Sequence, residues 1–409
     1  MTESVLITGI GAITAGARGV DEFWHNIRQG RTRIGTVARF AELDLPTWVG
    51  GEIQDSQSSQ QMAGPPDGSR RETSLAIAAV GQALADARLT DRPVSGDRIG
   101  MVGSSSRGPL AWWQELFRGD GEPSGRSAVL HSLNGASVGL AAIAHDVRGS
   151  VTTVSNACVG GNQAVGIALS ALRSGEADLM IVVGCEFPLV PSLIRIYAAM
   201  GKGALSTARS PEGAMRPYDI NRNGFVLGEG VVVLCLERAD SALRRGITPY
   251  AEVLGHRSRS EANHPMHMDL SGQHAADLVR EVLAASGNSP GDVGYYCGHG
   301  SATHYNDLAE GRMLDVLYRD SPRSQPPLGS VKAVYGHLLG GAGVVNVAAT
   351  ALMLSHQVLA PTVGCRDVDP ECGPDHVVGG PRNVDLRVAV SLSFAVGSQS
   401  SAVALAACE

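Results

Sequence analysis

Cys158, His299 and His337 are the residues of this chain whose types and settings suit covalent chemistry. Cys158 lies in VTTVSNACVGGNQAVGIALSALRSG, residues 151–175, which predicts a short buried strand, a tight turn and a helix. Gly160 and Gly161 are expected to make the turn, and Val165, Ile167, Ala168, Ala171 and Leu172 an apolar helical face that stops at Gly175. A thiol just ahead of a helix meets the positive end of the macrodipole and unpaired N–H groups, which favour thiolate and can hold an oxyanion. His299, in YYCGHGSATHYND, and His337, in KAVYGHLLGGAGVVNVAATAL, are each expected at a junction between a strand and a helix. A nucleophilic thiol with two imidazoles that shuttle protons or polarise a carbonyl is what acyl transfer requires. The plain alternatives are a buried structural cysteine and two satisfied structural histidines.

The elements that must position these residues follow from apolar periodicity. Residues 5–13 predict a strand, 20–30 an amphipathic helix carrying Phe23, Trp24 and Ile27, 73–89 an alanine-rich helix, and 98–104 a short buried strand. The run 178–185, DLMIVVGC, completes a βαβ crossover that leaves the thiol at a strand's carboxyl end, where open α/β sheets carry their sites. Residues 224–237 supply a further strand and 238–245 a helix that closes the first half. From 249 the order repeats: strand 251–256, polar loop 257–273, helix 274–286, strand 293–297, then helix, strand and helix. The chain therefore reads as a duplicated α/β protein, matched in element order and not in residues. Residues 54–70 are polar and read as an exposed loop.

Composition narrows the function classes. With 409 residues and 44% hydrophobic content the chain can bury a large core, built from small and aliphatic side chains because aromatics are only 4%. A net charge of −7, with no basic run interleaved with aromatics, argues against nucleic acid as a partner. Seven cysteines without CxxC pairing suggest reduced thiols and a cytoplasmic protein; Cys365, Cys372 and His376 fit no common zinc spacing, so no metal is expected. GIGAITAG carries Thr14 where a dinucleotide loop needs its third glycine, and no cofactor is expected. No signal peptide is expected, nor any apolar run approaching the ~18 residues of a membrane span.

Five segments in order carry a resemblance: NACVGGNQA around Cys158, RPYDINRNGFVLGEG at 216–230, HGSATHYND at 299–307, KAVYGHLLGGAG at 332–343 and the closing SLSFAVGSQSSAVAL. Together with ITGIGAITAG they resemble the elongating β-ketoacyl-acyl carrier protein synthases. RNGFVLGEG, HGSATHYND and VDPEC are similar in particular to the ketosynthase subunit of bacterial type II polyketide systems. The resemblance implies a thiolase-like αβαβα five-layer sandwich of two halves, 1–245 with the nucleophile and 246–409 with the histidines. It implies an acyl carrier protein as partner and a homodimer or a heterodimer with a chain-length-factor-like subunit. By the same resemblance Cys158 takes the acyl group, His299 and His337 hold the enolate of a decarboxylating malonyl thioester, and Lys332 supports the second histidine. Backbone N–H groups of Cys158 and Val396 would form an oxyanion hole. Phe394, Val396 and Gly397 would form the gating loop, and Arg70, Arg71 and Arg209 would dock the carrier.

The chain departs from the family pattern at three places. Asn346 stands where the family has a glutamate, which removes the expected carboxylate partner of Lys332. Val396 stands where a gating phenylalanine is usual, and Ser301–Ala302 replaces a more frequent Thr-Gly. Two other readings remain open: a non-catalytic chain-length-factor-like subunit, and a thiolase-fold acyltransferase that does not decarboxylate.

Overall fold

The computed structural model describes residues 4–54, 70–90, 94–119, 128–321 and 324–408. Ten strands form its main sheet path: β1 (Val5–Thr14), β2 (Ile99–Ser104), β3 (Val151–Val154), β4 (Leu179–Glu186), β5 (Gly230–Arg238), β6 (Ala251–Ser260), β7 (Val293–Cys297), β8 (Leu328–Gly329), β9 (Val388–Ala395) and β10 (Gln399–Ala406). In the first half the order is β1-β5-β4-β2-β3, and in the second it is β6-β10-β9-β7-β8. Each half runs antiparallel, antiparallel, parallel, parallel in that order. The halves meet where β1 pairs antiparallel with β6 through Leu6–Glu252 and Ile7–Ala251. The duplication expected from element order is thus visible strand by strand.

The helices that bear on the site and its core are α1 (Val20–Arg28), α2 (Arg71–Asp86), α3 (Ala136–Ala144), α4 (Gly160–Arg173), α5 (Pro191–Ala198), α6 (Gln273–Ala284), α7 (His304–Tyr318) and α8 (Ala342–His356). Three apolar layers result. α2 and α3 pack on the outer face of the first half, around Leu75, Val80, Val138, Ile181 and Val233. α6 and α7 cover the outer face of the second half, around Leu278, Val282, Met313 and Val390. α4 and α8 lie between the two halves of the sheet, where Val165, Leu172, Val182, Val347 and Leu352 join one core. This is a thiolase-like five-layer αβαβα sandwich. The 3.6-residue pattern of α2 and α6 is legible because one side of each meets solvent; α3 carries little such pattern and was not expected from the sequence. The central helix α8 is apolar nearly all round, as burial on both sides demands, whereas α4 keeps an exposed side at Ile167 and Ser170.

Four expectations need correction. The β-branched VTTV is an edge strand rather than a buried one: among the described residues it pairs with β2 alone, and Val151 and Thr152 are exposed. Residue type signals a strand but not what covers it. Gly160 and Gly161 do not make the turn, since both lie in α4; Ala157, at φ 43°, makes it. The glycines are needed for approach instead, because a Cβ on Gly161 would sit 2.7 Å from the Val344 backbone nitrogen, where α4 crosses α8. Ile167 is exposed, and the buried face of α4 runs through Ala164, Val165, Ala168, Leu169 and Leu172. Finally, one helical run, Leu339–His356, has the length and hydropathy of a membrane span, with 89% of it buried in the protein. It is the central core helix α8 with the turn before it. Residues 55–69, most of the loop expected at 54–70, lie outside the described residues.

Candidate active site

Parallel pairing brings the carboxyl ends of β2 and β3 side by side, and the chain leaving β3 makes a single turn, Ala157–Val159, before α4 begins. Ala157 accepts a positive φ that costs on the order of 1 kcal/mol for a residue with a side chain, which ties the turn to its function. Cys158 emerges from it half-buried, with its Sγ 3.2 Å from His337 Nε2. The His299 and His337 rings stand edge-on with centroids 5.2 Å apart. Cys158, His299 and His337 offer ligand-type atoms all within 4.8 Å of one another, the one such grouping of three among the described residues. Cys365, Cys372 and His376 form no grouping of that kind among the described residues.

Each histidine is fixed by its backbone. β7 ends at Cys297, and the next turn is held by Glu310 of α7, whose carboxylate accepts from the N–H groups of His299 at 2.6 Å and Gly300 at 2.7 Å. Asn306 Nδ2 and the Tyr218 hydroxyl complete that carboxylate's partners. His337 follows a single helical turn, Lys332–Tyr335, and is pinned by the bond from its N–H to the Val226 carbonyl at 2.7 Å. The Phe225 ring meets the His337 imidazole edge to face at 5.6 Å. Phe394, buried at the end of β9, faces the His299 ring at 6.3 Å.

Burial governs the protonation states. Desolvation, then the Lys332 ammonium, holds both imidazoles well below the ordinary histidine range, so they are neutral and able to donate one hydrogen bond each. Desolvation pushes the Cys158 thiol up to about 11 and outweighs the opposing pulls of Lys332 and Arg107. Loss of water therefore opposes the thiolate preference expected from the helix terminus. Lys332 is itself buried, and its Nζ donates to the His299 carbonyl at 2.5 Å. It supports the first histidine by hydrogen bond rather than the second. Asn346 is fully buried and donates to the carbonyls of Gly298 (3.1 Å) and Leu392 (3.3 Å), so it braces the His299 strand end.

The remaining expected residues are dispersed. Val396 and Gly397 form the turn between β9 and β10, with the Val396 side chain 45% exposed and the Gly397 N–H bonded to the Pro265 carbonyl. Arg70 pairs with Glu115 at 3.2 Å and stacks over Trp112. Arg71 turns inward to Glu229 at 2.9 Å and to the Ile53 carbonyl. Arg209 lies exposed over the Trp48 ring. Two carboxylates escaped the sequence reading. Glu310 was foreshadowed by polar residues at 306, 307 and 310 recurring on one face of α7, all of them buried. Glu186, a lone charge closing the apolar strand β4, accepts from the N–H groups of Ser106, Arg107 and Gly340.

Comparison with known proteins places the chain in a family. The chain matches the family described as "Beta-ketoacyl synthase, N-terminal domain" over residues 2–242 and "Beta-ketoacyl synthase, C-terminal domain" over residues 250–366. It is 32% identical to 3-oxoacyl-[acyl-carrier-protein] synthase 2 of Synechocystis sp., covering 98% of this chain and 97% of that one. It is 33% identical to the tetracenomycin polyketide synthase ketoacyl synthase alpha subunit of Streptomyces glaucescens, covering 98% and 96%. Among solved structures it resembles a chain from a type II polyketide acyl-carrier protein in complex with its ketosynthase bound to the hexaketide, at TM-score 0.89, 26% identity and 100% coverage of both chains. It also resembles a chain of the ishigamide ketosynthase/chain length factor, at TM-score 0.88, 28% identity and 100% coverage of both. The chain belongs to the β-ketoacyl synthase family.

Proposed function

We propose that this acyltransferase condenses a Cys158-bound acyl group with a malonyl unit carried on an acyl carrier protein, with loss of carbon dioxide, in polyketide or fatty acid synthesis. The observation that carries the reading is the Cys158 Sγ at 3.2 Å from His337 Nε2, with neutral His299 alongside. Acyl transfer forms the Cys158 S–C bond as the donor thioester C–S bond breaks, and the thiol proton ends on the departing carrier thiol. Decarboxylation of the malonyl thioester then puts negative charge on its carbonyl oxygen. Two neutral N–H donors aimed at that oxygen are worth ~10² to 10³ in rate each. The enolate carbon attacks the acyl carbonyl, and the Cys158 thiolate leaves and regains a proton.

Backbone N–H groups of Cys158 and Val396 are assigned to the acyl oxyanion, a role independent of side-chain identity. The aromatic gate falls to Phe394 rather than Val396, because Phe394 is the phenylalanine beside His299. The partner is an acyl carrier protein. Arg209 is the favoured docking contact, since Arg70 and Arg71 already face Glu115 and Glu229. A second ketosynthase-fold subunit, identical or chain-length-factor-like, is assigned to the exposed edge β3, whose unpaired backbone invites an added strand. The halves divide at 245/246. The cytoplasm is the assigned compartment, supported by seven free cysteines. Intact-mass measurement after exposure to an acyl-carrier tests the nucleophile: Cys158→Ala is expected to carry no acyl adduct. An undiminished adduct in that variant would overturn the assignment.

A further inference from the structure

The loop after β2 carries an arginine in an unusual setting. Residues 104–108 lie beside the Cys158 turn, with the Ser155 hydroxyl reaching the Ser106 carbonyl at 3.4 Å and Ser104 bonded to the Gly340 carbonyl at 2.7 Å. From this loop Arg107 reaches toward α5, where its guanidinium donates to the Tyr197 hydroxyl at 3.1 Å and lies 5.7 Å from the centre of that ring. The Tyr197 ring meets Phe225 edge to face at 5.2 Å, and Phe225 meets His337 at 5.6 Å. One continuous wall thus runs from the catalytic imidazole through two aromatic rings to a guanidinium.

Among the described residues no carboxylate forms an ion pair with that guanidinium. The nearby Glu186 is committed to three backbone N–H groups and the Ser105 hydroxyl. The Tyr197 oxygen accepts from Arg107, so its own O–H is left to donate, and burial, pushing that phenol up to about 12, keeps the proton in place. Arg107 and Cys158 lie within electrostatic range of one another, the guanidinium pulling the thiol down against its burial. An exposed cation and a phenolic donor, side by side with no anion between them, form a receptor for a carboxylate.

We propose that Arg107 and Tyr197 form a carboxylate-binding subsite for the acyl group, so that the enzyme charges Cys158 preferentially with chains that end in a carboxylate. The inference rests on the condensing-enzyme reading and names its substrate class. Neither residue takes part in bond making. They orient the chain while the Cys158 S–C bond forms and the donor thiol departs.

The test is single-turnover charging of Cys158, followed by intact mass, with the N-acetylcysteamine thioesters of adipate and hexanoate. These match in length, differ by the terminal carboxylate, and lack the carrier's phosphate. The adipyl-to-hexanoyl rate ratio is expected to fall tenfold or more in Arg107→Gln, since a charge-assisted contact is lost. Tyr197→Phe, which keeps the ring, is expected to lower it about threefold. An unchanged ratio in both variants, or equal slowing of both substrates, would overturn the subsite and leave the ketosynthase reading standing. If the unaltered enzyme accepts neither chain on Cys158, the ketosynthase reading fails and the subsite fails with it.

Discussion

The two halves of this molecule make the same turn and use it differently. In the first half Ala157, at φ 43°, precedes Cys158, and α4 starts at Gly160; in the second Leu339, at φ 42°, precedes Gly340, and α8 starts at Ala342. Gly161 and Gly343 occupy matching places, and each lies against the backbone of the opposite helix. The nucleophile's counterpart is therefore Gly340, whose N–H is bonded to Glu186 instead of facing a substrate. The second half contributes its imidazole from His337, just upstream of the same turn. The two halves thus carry equivalent turns at the same end of the sheet, one presenting a thiol and the other preceded by an imidazole.

The edges differ too. β3, beside the thiol, is exposed, whereas its counterpart β8 is buried. The half that holds Cys158 thus has the open sheet edge, and the half that holds the two histidines has the covered one.

Three changes probe this division, beginning with the largest effect. His337→Ala is expected to lower malonyl decarboxylation by ~10² to 10³ while Cys158 still accepts an acyl group. Equal loss of charging and decarboxylation would break the separation of roles. Next, the thiol at about 11 implies that iodoacetamide alkylation of Cys158 rises about tenfold per pH unit from 7 to 10. A plateau below pH 8 would mean a preformed thiolate–imidazolium pair. Smallest is Glu310→Gln. The amide cannot accept from both His299 and Gly300, and one buried N–H left unpaired costs about 1–3 kcal/mol, readable by urea denaturation. Burial raises the Glu310 carboxyl from 4.5 to about 7, so its stabilising contribution is complete below about 4.5 and is lost as pH rises through about 7. Parallel pH–stability curves for the two proteins would contradict this titration.

Much of the site was legible in the sequence because chemistry sits at breaks in apolar pattern: a cysteine after VTTV, a histidine after YYC, another among glycines. Element order was legible for most of the chain, but the helices Leu110–Arg118, Ala136–Ala144 and Pro191–Ala198 were not read from the sequence. What was hidden depended on contacts between distant segments. Edge exposure of β3 depends on sheet order, the approach of Gly161 to Val344 joins residues far apart in the chain, and the raised Cys158 thiol reflects enclosure that no local window contains. Tyr197 and Arg107 carry no motif at all, and their pairing appears only once β2 and α5 are folded together.

The most direct test of the account follows the acyl-Cys158 protein after malonyl-carrier is added. The account predicts that the acyl adduct disappears as carbon dioxide is released in equal amount and a 3-oxoacyl-carrier two carbons longer is formed. An adduct that persists, or an acyl group passed on without lengthening and without carbon dioxide, would contradict it.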